Sequence, residues 1–421
     1  MKYLSTIIIA SLTMSSAVSF ADDTSLGFPL GEKSKLHTNL HVGIAYDSNA
    51  TRGQAGAELE GVKTRFSPTI SVSVPGSAFS FGLNGGINID QFVDGTAPCG
   101  REAGDGSTTC VGGFAGFSIR GGGSNSILGF EIDGSVVATP TEILAPPSAS
   151  ADGSTTNSVR LLTDLGADEL LNPAVNLIAA PTFVLRPGGG ALEFRVGYNM
   201  NITNYSELGE EERHVGRFEA KLKFLPRTAV VLNADFGSWN GTDVGNNTPL
   251  KATPYNLTVG LRGQLTNRLS ANINAGYGDT LNEDSNFAQQ SPLANATLRY
   301  MFAKGMSLDA GFDRMLNNSL REFSYVSNRA RLNGSFEVAE RLSLALTSSY
   351  EWREFASGQP VTQAIAGARV SYLFFKFMNA GLTYQFLDQS FEGTEAPSPA
   401  AGIAVRSFTR QLFMFSTEFR Y

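Results

Sequence analysis

Residues 405–421 read VRSFTRQLFMFSTEFRY, and this stretch decides the fold class of the chain. Counted back from the end in steps of two, one set of positions is mostly aromatic and the other is mostly polar or charged. The first set is Tyr421, Phe419, Thr417, Phe415 and Phe413, and the second is Arg420, Glu418, Ser416, Met414, Leu412 and Arg410. A period of two predicts a β-strand with one apolar face.

This strand resembles the closing strand of bacterial outer-membrane β-barrels, in which the last residue is aromatic and the positions two, six and eight places before it are apolar. Tyr421, Phe419, Phe415 and Phe413 fit that pattern, and Thr417 departs from the aromatic face. The resemblance implies that these four residues are an assembly signal for the barrel-assembly machinery. It also implies that outer-membrane lipid and lipopolysaccharide surround the chain. The alternative is an edge strand of a soluble sandwich.

The beginning of the chain predicts export. Lys2 is followed by the apolar run 4–12 and then by Ser19, Phe20 and Ala21, a pattern typical of a signal peptide over residues 1–21. No cysteine follows that site, so a lipoprotein has no support. No later segment approaches the roughly 20 consecutive apolar residues of a spanning helix, so a membrane would have to be crossed by strands. We expect a periplasmic segment over 22–34 and one barrel domain over 35–421.

Composition fits this class and excludes others. The chain is 42% hydrophobic and 17% charged with 45 glycines, and its mean hydropathy is −0.07, as expected of strands that are apolar on one side only. A net charge of −7 argues against nucleic-acid binding. The two cysteines, Cys99 and Cys110, share one Gly-rich stretch and predict a loop-closing disulfide. A metal site is the weaker alternative because no histidine lies near them, and we expect no cofactor.

Alternating segments separated by turn residues predict an up-and-down barrel of about 18 strands in the bacterial outer membrane. Short and long connections alternate between them. In outer-membrane barrels the short turns are periplasmic, and an even strand number leaves both termini on that side. The predicted strands cover residues 35–47, 66–74, 79–91, 112–120, 125–139, 174–185, 191–204, 212–224, 228–238, 254–265, 269–277, 292–302, 306–316, 323–338, 341–353, 361–375, 377–391 and 405–421.

Three stretches resemble one family of such barrels. They are HVGIAYDSNATRG from His41 to Gly53, LTNRLSANINAGY from Leu265 to Tyr277 and VAERLSLALTSSYEWR from Val338 to Arg353. They are similar to the β-barrel porins of exopolysaccharide-export loci, and the corner Tyr46 to Asn49 is the most specific part. The resemblance implies an outer-membrane conduit for a polysaccharide that works with a periplasmic polysaccharide-export protein. The long loop with both cysteines departs from the family.

Among the side chains expected to face the lumen in the second half of the chain, basic residues outnumber acidic ones. The acidic ones there are Glu193, Glu219, Asp235, Asp309, Asp313 and Glu418. The predicted pore-lining basic residues are Arg195, Arg217, Lys221, Lys223, Arg262, Arg299, Arg329, Arg331, Arg369 and Arg410. A wall of one sign favours a polyanion, so we hypothesise that anionic sugars pass Arg329, Arg331, Arg369 and Arg410. The alternative is that opposite charges pair across strands to stiffen the barrel, for example Arg217 with Glu219.

The connection from Pro140 to Pro173 is the longest in the chain. Val159, Leu162, Leu165, Leu170 and Leu171 follow a helical spacing after a possible cap at Ser158. We hypothesise a short helix that folds inward and narrows the lumen. An exposed surface loop without a gating role is the alternative.

Catalysis has little support in the sequence. The three histidines are His37, His41 and His214, and no Gly-x-Ser-x-Gly motif or metal-spaced histidine pair accompanies them. His41 is expected to face inward and could meet a serine, but the sequence shows no third member of a triad. We therefore expect a non-enzymatic barrel. A diffusion porin for small solutes and a structural or adhesive surface barrel are the two alternatives to the polysaccharide conduit.

Overall fold

The computed structural model describes residues 27–30, 34–49, 60–93, 109–123, 126–139, 174–205, 209–243, 248–281, 288–319, 323–355, 360–391 and 407–421. Nearly all of these residues belong to β-strands. The strands are β1 Phe28–Pro29, β2 Lys35–Asp47, β3 Gly61–Val74, β4 Phe79–Phe92, β5 Thr109–Gly121, β6 Leu128–Thr139, β7 Ala174–Leu185, β8 Leu192–Tyr205, β9 Gly209–Leu225, β10 Thr228–Asp243, β11 Thr248–Ala252, β12 Tyr255–Gln264, β13 Leu269–Asp279, β14 Gln290–Ala303, β15 Met306–Ser319, β16 Phe323–Ala339, β17 Leu342–Phe355, β18 Pro360–Phe375, β19 Met378–Phe391 and β20 Phe408–Arg420.

The strands form one closed antiparallel barrel. From β2 onward each strand pairs with the next except β11 with β12, and β20 pairs back onto β2 with Leu40 opposite Phe419. β11 and β12 both pair with β10, so together they fill one position in the wall. β1 adds two residues beside β2. The described wall therefore has 18 strand positions, which confirms the predicted fold class.

Two-residue alternation gives the wall an apolar outside. On β12, Leu257, Val259 and Leu261 are each about half exposed, whereas Thr258 and Arg262 point to the opposite face. The same alternation recurs around the barrel, so large apolar side chains form an outward band that only lipid can cover. The protein is therefore a bacterial outer-membrane barrel, as the sequence predicts.

The two ends of the barrel differ in their connections. Short turns close one end; at the turn between β12 and β13, Thr266 Oγ1 accepts hydrogen bonds from the backbone N–H groups of Arg268 at 3.2 Å and Leu269 at 3.0 Å. A 3₁₀ turn over Pro187–Gly190 joins β7 to β8 at the same end. The start of β2 and the end of β20 also lie there, in the arrangement expected of a periplasmic side. Among the described residues, no helix is long and apolar enough to span a membrane.

The seam between β2 and β20 carries more than ladder hydrogen bonds. The Ser48 N–H donates to the Gln411 carbonyl at 3.0 Å, and the Gln411 N–H donates to Ser48 Oγ at 2.8 Å. Asn49 Nδ2 donates to the Thr409 carbonyl at 3.1 Å. The corner Tyr46 to Asn49 therefore fastens the first barrel strand to the last one.

Close approach of β12 and β13 depends on glycine. A Cβ at Gly276 would overlap the Leu257 carbonyl oxygen, and one at Gly260 would overlap the Ile273 carbonyl oxygen. Glycine at these two positions lets the neighbouring backbones pack without a steric clash.

Several predictions concern residues outside the described ranges. They include the signal peptide over residues 1–21 and the helix proposed within 140–173. Cys110 is disulfide-bonded, but Cys99 lies outside the described ranges, so the pairing of the two stays a prediction. Strand β11 is not among the predicted strands, because its residues fall between the predicted strands 228–238 and 254–265.

Candidate functional site

The inward face of the barrel is the candidate functional site. Directly opposed residues in an antiparallel pair point to the same side of the sheet. The register Thr258 opposite Gly276 and Arg262 opposite Asn272 therefore extends the polar face of β12 to β13. Followed from strand to strand, the same rule assigns one inward face around the whole wall.

The register places every predicted pore-lining basic residue on this inward face. The positions are Arg195, Arg217, Lys221, Lys223, Arg262, Arg299, Arg329, Arg331, Arg369 and Arg410. They differ strongly in exposure, and two arcs of the wall account for the difference. We call the inward face of β8 to β14 the open arc, and the inward face of β16 to β20 with β2 to β4 the seam arc.

In the open arc the basic side chains are accessible to solvent. The exposed fraction of the side chain is 34% for Arg195, 42% for Arg262 and 56% for Arg299. Lys223 is exposed and Lys221 is half-buried. These groups can therefore contact a solute in the lumen.

Acidic side chains on the same arc bind some of these cations. Arg195 Nε lies 2.9 Å from Glu193 Oε1, and Glu219 lies 3.9 Å from Arg195 and 3.5 Å from Arg262. Arg299 and Asp309 are 3.6 Å apart across β14 and β15. Partly exposed pairs of this kind are weak, so they leave the guanidinium groups available to compete for other anions.

Arg217 pairs differently from the prediction. Its Nε lies 3.7 Å from Asp235 Oδ1, whereas the expected partner, Glu219, contacts Arg195 and Arg262. The reason is the register: Arg217 and Asp235 are directly opposed on β9 and β10, whereas Arg217 and Glu219 are successive inward positions of one strand.

Lys221 and Lys223 give the open arc its surplus of positive charge. Within the described part of the chain, no carboxylate oxygen lies within 4.0 Å of either ammonium group. Both residues lie near the short turn after Leu225, at the periplasmic end of β9. Glu193 and Glu219 interact electrostatically with Lys221 at longer range, but neither ammonium group is held in a close ion pair, so both can attract anions at the mouth of the lumen.

In the seam arc several cations are buried in ion pairs. Arg410 donates from Nε to Asp47 Oδ1 at 2.9 Å, and Lys63 Nζ lies 3.9 Å from Asp47 Oδ2. None of these three side chains is more than 9% exposed. Arg353 with Glu351 and Arg65 with Asp90 form further buried pairs.

This burial changes which arginines can meet a solute. Of the four predicted to line the path, Arg329 and Arg410 are less than 10% exposed in their side chains, and both contact carboxylates. Arg331 lies 3.0 Å from Asp313, and Arg369 Nε donates to Ser371 Oγ at 3.0 Å. Strand parity assigns these residues to the inward face but carries no information on burial. Arg331 keeps 29% of its side chain exposed, and the most exposed of the predicted cations are Arg262 on β12 and Arg299 on β14.

The seam arc also contains apolar inward positions that the sequence analysis missed. Ala45, Leu412 and Met414 form one buried cluster, and Leu387 with Phe408 forms another. Leu412 and Met414 alternate with aromatic residues of β20, so strand parity already placed them inward. Their apolar side chains were the sequence signal that the inward face is buried in this part of the wall.

His41 lies between Ser67 and Glu418 in one row across β3, β2 and β20. The row does not have the geometry of a catalytic triad. Both ring nitrogens of His41 and the Ser67 hydroxyl are buried with no hydrogen-bond partner, and Glu418 is bound by Arg420 at 2.8 Å. The described residues also include no group of three or more His, Cys, Asp or Glu residues suited to a metal ion.

No protein family model and no curated protein sequence matches the chain. Among solved structures, a BenF-like porin from Pseudomonas fluorescens Pf-5 is 10% identical, with a TM-score of 0.49 and coverage of 93% of this chain and 99% of that one. Pseudomonas aeruginosa OccK2 (OpdF) is 11% identical, with a TM-score of 0.48 and coverage of 94% and 99%. The FrpB iron transporter from Neisseria meningitidis is 6% identical, with a TM-score of 0.47 and coverage of 94% and 83%. At identities this low, the comparisons say nothing about the solute.

Proposed function

We propose that the protein is an outer-membrane channel that conducts anionic, hydrophilic solutes along the open arc. The observation that carries this proposal is the combination of half-exposed arginines with two lysines whose ammonium groups have no described carboxylate oxygen within 4.0 Å. A low-dielectric wall around a water-filled passage strengthens the field of such groups. The channel needs no cofactor, because passage of a hydrated solute involves no chemical step.

The role of the lysines is testable by ion selectivity. Replacing Lys221 and Lys223 together by Gln removes two positive charges from the open arc. In planar bilayers with a potassium chloride gradient, the reversal potential should shift toward cation permeability. The control is Lys251→Gln on β11, which removes one positive charge from the exposed outward face. An equal shift per charge removed in both variants, or no shift in either, would refute the proposal.

A secreted acidic polysaccharide is the solute that we favour. The resemblance of three stretches to porins of exopolysaccharide-export loci supports this choice. Arg195, Arg262 and Arg299 lie on three different strands of the open arc, so a polyanion could contact several cations at once, and linked contacts raise affinity. In this proposal a periplasmic polysaccharide-export protein delivers the chain to the short-turn end.

A strain that lacks the gene separates this substrate from the alternative of a diffusion porin for small solutes. Loss of surface polysaccharide with retention in the periplasm, and unchanged uptake of small solutes, is the expected result. Normal surface polysaccharide with slower uptake of small anions would identify a diffusion porin. Complementation with the Lys221→Gln/Lys223→Gln variant then tests whether the open arc acts on the polymer itself.

A further inference from the structure

The extracellular end of β15 separates from β14, while residues 325–327 of β16 stay paired with the end of β17. The ladder between β14 and β15 extends only as far as Ala294 opposite Arg314. Beyond Arg314, in the described residues, β15 continues to Ser319 and pairs with β16 alone. We call residues 315–319 and 323–327 the mouth hairpin.

The mouth hairpin contacts β9, which lies five positions away in the 18-strand wall. Arg213 Nη2 on β9 donates a hydrogen bond to the Asn318 carbonyl at 3.4 Å. Four wall positions, β10, β12, β13 and β14, separate β9 from β15. Five strand spacings of about 4.8 Å place β9 and β15 roughly 24 Å apart along the wall, which is far more than an arginine side chain can span. The hairpin must therefore lie inside the mouth of the barrel.

The neighbouring strands close behind the hairpin. Gln289, just before β14, donates from Nε2 to the Glu354 carbonyl on β17 at 3.3 Å, although β15 and β16 separate these strands in the wall. On β16, the alternation places Ser324, Val326 and Asn328 on the outward face of the strand. None of these residues is more than 4% exposed. Other parts of the protein therefore cover the outward side of the hairpin, as an inward fold requires.

The mouth hairpin is held rigidly. Asn317 Nδ2 donates to Ser327 Oγ at 3.1 Å, and Ser324 Oγ donates to Asn318 Oδ1 at 3.2 Å. The Tyr325 ring packs 5.3 Å from the Phe355 ring, and the Arg353 guanidinium lies 5.8 Å from its centroid. These contacts hold both strands of the hairpin in place, so it does not act as a movable lid.

Arg213 is itself held in place on β9. Glu211 Oε1 lies 3.7 Å from Arg213 Nη2 and accepts a hydrogen bond from Trp239 Nε1 at 2.7 Å. Trp239 is only 1% exposed although it faces inward. The β9 side of the contact is therefore as well packed as the hairpin side.

From this geometry, we propose that the mouth hairpin, clamped by Arg213, is the constriction that sets the largest solute cross-section the channel admits. The inference rests on the proposed channel function and adds a size filter at the extracellular end, separate from the charge filter of the open arc. A hydrated single polysaccharide strand or a small anion would pass beside the hairpin, and a bulkier folded solute would not.

The test compares Arg213 with Lys251, a cation on the exposed outward face of β11. Arg213→Ala removes the side chain that bridges β9 and the hairpin, and Lys251→Ala removes one positive charge outside the lumen. In planar bilayers, Arg213→Ala should raise single-channel conductance by at least about 1.5-fold, because truncation of the bridging side chain opens the gap between β9 and the hairpin. It should also admit larger neutral polyethylene glycols. Lys251→Ala should leave both quantities near the wild-type value.

Folding of each variant is checked by heat-modifiable migration in SDS gels. If Arg213→Ala does not fold, Arg213→Ser shortens the side chain in the same way and is expected to give the same widening. Unchanged conductance and polymer cut-off in a folded Arg213 variant would overturn the constriction. If wild-type protein forms no channel at all, the proposed function fails instead, so the two failures are distinguishable.

Discussion

Replacing Asp47 by Asn should destabilise the barrel at its seam. The Asp47 carboxylate is fully buried and accepts hydrogen bonds from Arg410 Nε at 2.9 and 3.1 Å. Lys63 Nζ lies 3.9 Å from the same carboxylate. The substitution removes the carboxylate charge while both cations stay buried. Removing one partner of a buried pair costs about 3 to 5 kcal/mol, so we expect a loss of about 3 kcal/mol in the free energy of unfolding.

The assay is urea unfolding in lipid vesicles followed by tryptophan fluorescence, with the temperature of heat-modifiable migration as a second readout. Asp309→Asn is the matched control, because the Arg299–Asp309 pair is 3.6 Å long and its side chains are 56% and 32% exposed. Screening by water limits the effect of that control to less than about 1 kcal/mol. Equal losses in the two variants would refute the seam explanation.

Three further outcomes are expected. Gly276→Val should lower the free energy of unfolding by about 2 kcal/mol because its side chain would overlap a neighbouring carbonyl, whereas Gly216→Val, where only ordinary contacts arise, should cost less in the same urea titration. Phe419→Ser should reduce the amount of folded barrel in the outer membrane, measured by fractionation, and full insertion would exclude a role in assembly. Non-reducing peptide mapping should recover Cys99 linked to Cys110, and a free Cys99 thiol would contradict that pairing.

The fold was predictable because its signals are local. Period-two alternation and turn residues each depend on a few neighbouring residues, so β13 could be assigned from Leu269 to Tyr277 alone. The inward parity of Arg262 follows from the same pattern. Strand β11 was missed because Thr248–Ala252 spans only five residues, too short a run for a two-residue period to stand out.

The accessible part of the site was not predictable because it depends on contacts between distant residues. Whether an inward arginine is exposed or buried depends on neighbouring strands: Arg410 meets Asp47 at the opposite end of the chain, whereas Arg299 remains open to solvent. The partner of Arg217 depends on the register of β9 with β10. The contact of Arg213 with Asn318 joins residues 105 positions apart, and no local pattern encodes it.

The most direct test of the anion channel is the reversal potential of the purified wild-type protein in a planar bilayer under a potassium chloride gradient. The open arc predicts a conducting pore that prefers chloride over potassium, more strongly at low salt, where charges are less screened. A pore without preference, a preference for potassium, or no conductance would contradict the account.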